Sequence, residues 1–245
     1  MVHKNRERLS RTHIHWFRYD LRLEDNPALN AALNAEQSLL VYILDPDLLS
    51  QLGVSSHWWL MRSLLALSEL LKGRLSVYRG KTCTVMEDIC TRFSPSCVTF
   101  NRTYAPHLDS LDVQVVAMLN SMRIAARSFP HHLLWEPSSI AKKAGTPYKV
   151  FTPFYQRGCL AQPPPSTPVQ YQEKAEILSD SHSLDIEDCI DQAPLCAHLN
   201  RVWSPTPAEA CSKLARFVEK DLNCYAVLRD FPAKACGSHL SAYLH

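Results

Sequence analysis

The chain has 245 residues, of which 46% are hydrophobic, and 26 basic and 24 acidic residues give a formal net charge of +2. This length supports one large domain or a domain with an appendage, and the balanced charge argues against a nucleic-acid coat or a disordered tail. Nine cysteines without zinc-type spacing, no signal peptide and no apolar run of about 18 residues predict a cytoplasmic protein with reduced thiols and no membrane partner.

The first half of the chain alternates short β-rich runs with helical patterns. A strand is predicted over 12–17, followed by a helix with Asp25 or Asn26 as N-cap and Pro27 at its first position. The run 38–45 is apolar nearly throughout, which is typical of a parallel strand covered on both faces. The remaining predictions are helices over 55–72, 84–93 and 108–121 and strands over 74–79, 97–101 and 123–129. This alternation predicts an α/β fold with a Rossmann-like, doubly wound, five-stranded parallel sheet.

The pattern breaks after this region. Residues 159–172 are rich in proline, and 173–205 are acidic, polar and predicted to be irregular. Helical periodicity returns over 207–223, and a further helix is predicted to begin at Ser238. We therefore expect an α/β domain over 1–157, a linker over 158–205 and a short helical segment over 206–245. The helix over 207–223 carries one apolar stripe, formed by Ala210, Leu214, Phe217, Val218 and Leu222.

Ligands of open parallel sheets bind beyond the carboxyl ends of the strands, where the strand order reverses. The predicted residues there are Phe17, Arg18, Asp45, Asn101 and Arg102. Neither GxGxxG nor a P-loop is present, which argues against a dinucleotide dehydrogenase or a P-loop enzyme. The charge-rich loop over 18–25 has two interpretations, an ion-pair network that fixes the loop or a recognition loop.

No nucleophile–base pair and no metal-ligand spacing emerge from the sequence, so neither catalytic nor metal-binding residues are predicted. The C-terminal stretch "GSHLSAYLH" differs, because Ser238 and Ser241 bracket the predicted helix start. A helix N-terminus with serine hydroxyls suits a phosphate, and a plain N-cap serine is the alternative.

Six ordered segments resemble the DNA photolyase/cryptochrome family, with most likeness to the bacterial pyrimidine-dimer photolyases. The first and the last are the most diagnostic. The segments are "HWFRYDLRLEDNPAL", "VYILDP", "SLLALSELLKGRLSVYRG", "NRTYAPHLDSLD", "PYKVFTPFYQ" and "YAVLRDFPAKACGSHLSAYLH".

The resemblance implies an N-terminal α/β domain that can hold an antenna chromophore, joined to a helical domain that binds FAD. The helical domain flips a pyrimidine dimer out of DNA and splits it by light-driven electron transfer, which is carbon–carbon lyase chemistry. This chain resembles only the first half, so we expect no catalysis by the isolated chain. Damaged DNA would bind through the helical domain, which a separate chain could supply. The alternatives are a stand-alone chromophore- or nucleotide-binding module and a cryptochrome-like light-signalling component.

The resemblance also assigns cofactor positions. The family's usual threonine is Gly237 here and its usual arginine is His239, so one hydroxyl and one fixed charge are lost. Folate-using members have an Asn–Glu pair where this chain has His107 and Leu108, which argues against that folate mode. A deazaflavin, a flavin or no antenna remain as alternatives. The positions that correspond to FAD phosphate contacts are Tyr225, Gly237, Ser238, His239, Leu240 and Ser241.

Overall fold

A computed structural model describes residues 12–130, 133–142, 145–190, 194–231, 233–234 and 236–244. Its parallel sheet has the strand order β3-β2-β1-β4-β5, and a short strand β6 lies beside β2. The predicted five-stranded, doubly wound α/β fold is confirmed, and β6 is an addition that the sequence does not predict. The strands are β1 (Thr12–Phe17), β2 (Gln37–Leu44), β3 (Leu75–Arg79), β4 (Cys97–Asn101), β5 (Ala125–Phe129) and β6 (Glu176–Leu178).

The helices of the first half lie where the sequence predicts them. Asn26 is the N-cap of α1, and Pro27 is its first residue. Two π-helical turns extend α6 and join α8 to α9, at Phe154–Cys159 and Phe217–Asp221. The helices are α1 (Pro27–Ala32), α2 (Pro46–Leu49), α3 (Val54–Leu70), α4 (Thr82–Phe93), α5 (Pro106–Ser121), α6 (Phe151–Pro153), α7 (Pro194–Val202), α8 (Pro207–Arg216) and α9 (Leu222–Leu228).

The chain divides into two compact units, and the first comprises 1–43 and 82–179. Its central strand β1 pairs with both β2 and β4, so that Ile14 lies opposite Leu39 on one side and Val98 on the other. All three side chains are fully buried. Burial on both faces explains why these strands read as continuous apolar runs rather than as alternating patterns.

The second unit comprises 44–81 and 180–245. Aromatic side chains connect α3 to the C-terminal part of this unit. The Trp59 ring meets the Trp203 ring edge-on, with 5.7 Å between centroids, and the Tyr243 ring at 5.1 Å. The Trp58 indole N–H donates to Asn200 Oδ1 at 2.9 Å, which fixes α7 against α3. Trp59, Trp203 and Tyr243 are half-buried and form an aromatic cluster beside the buried side of α3, which carries Trp58.

Two sequence-based expectations are wrong. The stretch 173–205 is predicted to be irregular, yet it contains β6 and α7. These elements depend on distant partners, because β6 pairs with β2 and α7 packs against α3. The helix predicted to begin at Ser238 is only a 3-10 turn over Ser241–Tyr243. His239 has a φ of 53°, and a residue in the left-handed region interrupts a right-handed helix.

Within the described residues, none of the helices combines the length and the apolar character that crossing a membrane requires.

The packing of α3 yields a paired stability prediction. Leu67 is 1% exposed and Leu70 is 52% exposed, although both lie on this helix. We expect Leu67→Ala to lower the free energy of unfolding by about 2–5 kcal/mol, because the lost methyl groups leave a cavity. Leu70→Ala is the matched control and should change it by less than about 0.5 kcal/mol. Equal losses in urea denaturation would contradict the packing of this helix.

Candidate functional site

The carboxyl ends of β1 and β4 lie side by side, because these two strands are hydrogen-bonded neighbours in the sheet. The strand order reverses between them, which makes this edge the switch point of the doubly wound fold. Arg18 follows β1 directly and Asn101 is the last residue of β4. The structure therefore brings two of the five predicted sheet-end residues together.

The Arg18 side chain is buried at this edge, with 7% of the residue exposed. Its guanidinium carbon lies 4.7 Å from the ring centroid of Trp16 and 5.0 Å from that of Phe100. One terminal nitrogen, Nη2, donates to the Asn101 carbonyl, and the other, Nη1, donates to the Asp112 carboxylate. Hydrogen bonds, an opposite charge and two aromatic faces thus compensate a cation removed from water.

Asp20 is the buried anion of the same site, with 1% of the residue exposed. Its carboxylate accepts hydrogen bonds from the Arg18 backbone N–H, at 2.9 Å, and from the Asn101 amide. His15 Nε2 lies 4.0 Å away. Burial alone raises the pKa of Asp20, but His15 and these hydrogen bonds outweigh burial and lower the pKa below its ordinary value.

Asn26 connects this network to the first helix. Its Oδ1 accepts from the Leu29 backbone N–H at 3.0 Å and from the Asn101 amide at 2.8 Å. Its Nδ2 donates to Asp20 Oδ2 at 3.2 Å. One side chain therefore caps α1 and also orients the two polar groups at the end of the sheet.

The same loop binds the proline-rich stretch. The Val169 N–H donates to the Asp25 carboxylate at 3.1 Å, and the Tyr171 N–H donates to Glu24 at 3.0 Å. The Asp25 N–H donates in return to the Val169 carbonyl at 2.7 Å. These contacts support the interpretation of the charge-rich loop as a structural network.

Three polar atoms of the site retain hydrogen-bonding capacity. Arg18 Nε, Asn101 Oδ1 and Thr103 Oγ1 are buried and form no hydrogen bond within the described part of the chain. A buried polar atom without a partner is costly, so such atoms are uncommon in folded proteins. They are a donor, an acceptor and a hydroxyl that lie at or just beyond the ends of β1 and β4 and are shielded from solvent.

The other predicted sheet-end residues have different roles. Phe17 is fully buried, and its ring packs edge-on against His15 with 4.3 Å between centroids. Asp45 belongs to the second unit, where its carboxylate caps α2 by accepting from the Asp47 N–H at 3.0 Å. Arg102 pairs with Glu136 at 3.1 Å. The structure thus uses these three residues for packing, capping and a partly exposed ion pair.

Glu136 also accepts a hydrogen bond from the Tyr104 hydroxyl. Burial, together with this carboxylate, raises the pKa of Tyr104 to about 12, so the phenol is neutral and donates.

The sequence analysis did not select Asp20, Asn26 or Asp112 as site residues. Asn26 could be identified only as a helix cap, and Asp20 only as a member of a charge cluster. Asp112 is separated from Arg18 by 94 residues and carries no local signal of that contact. Asp20 lies three residues beyond β1, and this position near a strand end is the sequence feature that could have indicated it as a site residue.

The six residues assigned to FAD by resemblance all lie in the second unit. The Tyr225 ring meets Phe217 edge-on, with 5.5 Å between centroids. A side chain at Gly237 would meet open space, and Ser238 Oγ accepts weakly from the Leu240 N–H at 3.4 Å. Gly237, His239 and Ser241 are exposed. The exposed backbone N–H groups and the hydroxyls of the two serines fit part of a phosphate site. None of the six side chains carries a permanent positive charge.

Metal chemistry has no evident site here. Among the described residues, no three histidine, cysteine, aspartate or glutamate side chains gather where they could hold a metal ion.

Comparisons with known proteins by family model, by sequence and by structure agree with one another. The family model for DNA photolyase matches residues 13–170. The deoxyribodipyrimidine photo-lyase of Agrobacterium fabrum is 33% identical over 94% of this chain, and Cryptochrome-1 of Arabidopsis thaliana is 32% identical over 95%. The crystal structure of a class III photolyase from Agrobacterium tumefaciens superimposes with a TM-score of 0.84 and 30% identity over 95% of this chain.

The chain spans only part of each of these proteins. It covers 50% of the Agrobacterium fabrum photo-lyase, 35% of the Arabidopsis cryptochrome and 50% of the photolyase crystal structure.

The buried network leads to a prediction about Asp20. Asp20→Asn removes a carboxylate that accepts from Arg18 and Asn101, so we expect the free energy of unfolding at neutral pH to fall by about 2 kcal/mol. Asp47→Asn is the matched control, because Asp47 is 72% exposed and pairs at 3.5 Å with an equally exposed Lys81. This control should have little effect.

The pH dependence tests the same site. A lowered pKa means that ionised Asp20 stabilises the fold above the unfolded-state value of 3.8, and this stabilisation is lost as the pH falls through the lower folded-state value. The stability difference between wild type and Asp20→Asn should therefore shrink as the pH is lowered below about 4. A difference that stays constant from neutral pH to pH 3 or below, measured by urea denaturation, would contradict the assigned role.

Proposed function

This chain belongs to the DNA photolyase family, and from that premise we propose that it serves in the light-dependent repair of pyrimidine dimers in DNA. The first unit is the antenna-side α/β part of the protein. The C-terminal segment of the second unit is one edge of the FAD site. Repair requires the further half that the relatives possess, so the residues described here do not catalyse it by themselves.

One observation carries this proposal, the polar switch point that Arg18, Asp20 and Asn101 form at the end of the sheet. These residues lie within segments that resemble the family, and the family model covers this entire region. Three buried polar atoms with spare hydrogen-bonding capacity lie at the same edge. A folded α/β sheet with polar side chains at its switch point is the framework on which we propose that an antenna chromophore binds.

The chromophore at this crevice is a deazaflavin or a flavin in our proposal. Arg18 Nε would donate to a ring acceptor, and Asn101 Oδ1 would accept from a ring N–H. The folate mode of binding lacks support, because Leu108 is an apolar side chain that is only 4% exposed. Such a side chain cannot replace the carboxylate that hydrogen-bonds a pterin ring.

FAD is the proposed cofactor of the complete protein, in which it would donate an electron to the dimer after absorbing light. In this chain, the hydroxyls of Ser238 and Ser241 and the backbone N–H groups of Gly237 and Ser238 would hold its phosphates. Leu240 and Tyr225 would border that position. His239 would add positive charge only when protonated, so the hold on FAD would be weaker than that of an arginine.

The apolar stripe of α8 and α9 is the proposed docking surface for the rest of the helical domain. Leu214, Val218 and Leu222 are 48%, 53% and 48% exposed. Val227 and Phe231 follow in the chain and are also exposed, at 70% and 56%. An apolar face of this size is normally covered. The half of the relatives that this chain does not span is the proposed cover, either in the same polypeptide or as a separate chain.

A second candidate function is light signalling, as in cryptochromes. It is favoured by the 32% identity to the Arabidopsis cryptochrome, which nearly equals the 33% identity to the photo-lyase. Repair of DNA and retention of FAD therefore have to be measured separately to distinguish the two functions.

We expect the purified chain alone to retain no FAD at its segment 237–241 after incubation with FAD and gel filtration, because it holds only one edge of that site. A flavin that the chain alone retains would be bound at the switch point and should be lost in Arg18→Ala. Mixing it with the C-terminal half of the Agrobacterium photo-lyase, expressed separately, should restore a retained flavin band and light-dependent repair of thymine dimers. The control is the same C-terminal half mixed with its own N-terminal half.

Three outcomes separate the hypotheses. Repair in both mixtures supports a photolyase. Retained FAD without repair, while the control repairs DNA, favours signalling. A flavin band retained by the chain alone, with neither repair nor additional FAD retention in the mixture, supports a stand-alone chromophore-binding module.

The docking surface is tested by substitution. Val218→Ser and Val227→Ser should reduce the fluorescence of a hydrophobic dye bound to the chain and weaken FAD retention in the mixture. Val113→Ser is the matched control, because Val113 is 68% exposed on α5 in the first unit. Dye fluorescence that falls equally in all three variants would count against a specific surface on α8 and α9.

A further inference from the structure

Two cysteines of the second unit lie in direct contact. Cys224 lies on α9, and Cys236 immediately precedes Gly237. Their sulfur atoms are 3.5 Å apart, although 12 positions separate them in the sequence. Both are free thiols.

One backbone carbonyl holds both thiols. Cys224 Sγ donates to the Asp221 carbonyl at 3.2 Å, and Cys236 Sγ donates to the same oxygen at 3.7 Å. Asp221 is the last residue of the π-helical turn that precedes α9. A shared acceptor keeps the two sulfurs on the same side of the chain and close to each other.

We propose that Cys224 and Cys236 are a thiol-modification site that forms a reversible intramolecular disulfide with a small disulfide oxidant such as oxidised glutathione. A disulfide bond is about 2.05 Å long, so the sulfurs need to approach by about 1.5 Å. This proposal is independent of the proposed function. It concerns only the thiols and the segment that they connect.

The exchange proceeds in two steps. The Cys224 thiolate attacks oxidised glutathione, an S–S bond forms between them, and one glutathione thiolate leaves. The Cys236 thiolate then attacks the Cys224 sulfur and expels the second glutathione thiolate. The two protein thiols release two protons, which the glutathione thiolates take up, so two protein thiols are oxidised and one glutathione disulfide is reduced to two thiols.

The surroundings favour this order of attack. Cys224 is partly exposed and reachable by a small oxidant, whereas Cys236 is only 2% exposed. Burial is the main factor that raises the pKa of Cys236, which disfavours its attack on an oxidant in solution. Because its sulfur lies 3.5 Å from that of Cys224, Cys236 is placed for the second, intramolecular step.

Other cysteines differ in ways that provide controls. Burial raises the pKa of Cys90 to about 12, which makes that thiol unreactive. Cys211 is exposed on α8. We expect Cys211 to take up glutathione as a mixed disulfide.

The disulfide would change how the segment 237–241 is held. Tyr243 already fixes the C-terminal side of this segment, because its ring packs on Trp59 and its hydroxyl donates to the Ser204 carbonyl at 3.1 Å. Oxidation would fix the other side covalently to α9. The backbone between these two attachments would then fluctuate less.

The test is incubation of the full chain with oxidised glutathione, followed by alkylation of free thiols, digestion and mass spectrometry. Close contact gives these thiols a high effective concentration, so we expect at least about tenfold more of the Cys224–Cys236 cross-link than of any other pairing. Cys211→Ser should leave this cross-link unchanged. Reduced glutathione should reverse it.

The proposal requires that the folded structure, rather than chance encounter, selects the Cys224–Cys236 pair. The same incubation in urea should distribute cross-links among many cysteine pairs. The proposal would be overturned if the native sample lacked the Cys224–Cys236 cross-link. It would also be overturned if another cysteine pair formed a cross-link in equal amount. In Cys224→Ser and in Cys236→Ser, the remaining cysteine of the pair should form no intramolecular cross-link. It should at most carry one glutathione as a mixed disulfide.

A second measurement tests the structural consequence. Amide hydrogen exchange over 237–241 should slow severalfold in the oxidised chain and remain unchanged in Cys224→Ser treated with the same oxidant. Unchanged exchange in a fully cross-linked wild-type sample would overturn the claim that the disulfide restrains this segment.

Discussion

The first unit depends on the compensation of one buried cation. Arg18 is removed from water at the switch point, and an isolated buried charge would destabilise the fold by several kcal/mol. Two aromatic faces, the Asn101 carbonyl and the Asp112 carboxylate offset this cost together. Because these partners come from β1, β4 and α5, the compensation is complete only when the sheet and its helix have assembled.

The hydrogen bonds of Asp20, Asn101 and Asn26 depend on the position of Arg18. Asp20 accepts from the Arg18 backbone, Asn101 donates to Asp20, and Asn26 connects both to the start of α1. A polar network at the end of a parallel sheet is stable because nearly all its atoms are paired. The atoms of this edge that form no hydrogen bond within the described part of the chain belong to Arg18, Asn101 and Thr103.

The second unit is organised by different forces. Half-buried aromatic rings connect α3 to Trp203, just after α7, and to the C-terminal turn, while the stripe formed by Leu214, Val218 and Leu222 is exposed. The segment 237–241 is attached near both of its ends, through Cys236 and through Tyr243. The chain spans about half the length of the photolyases that it matches, and the docking of a further half on this stripe is part of the proposed function.

The sequence by itself determined the five strands, the start of α1 at Pro27 and the apolar stripe over 207–223, because each is encoded by local periodicity or by neighbouring residues. It left the cap of α1 open between Asp25 and Asn26, and the structure decided for Asn26. It also placed Arg18 and Asn101 at one edge, since carboxyl ends of parallel strands meet there. Only the tertiary structure decided the partners of Arg18, the pairing of β6 and the packing of α7, because these contacts join residues far apart in the chain. It also decided that 238–244 forms no α-helix, since His239 adopts a left-handed conformation that side-chain chemistry alone does not reveal.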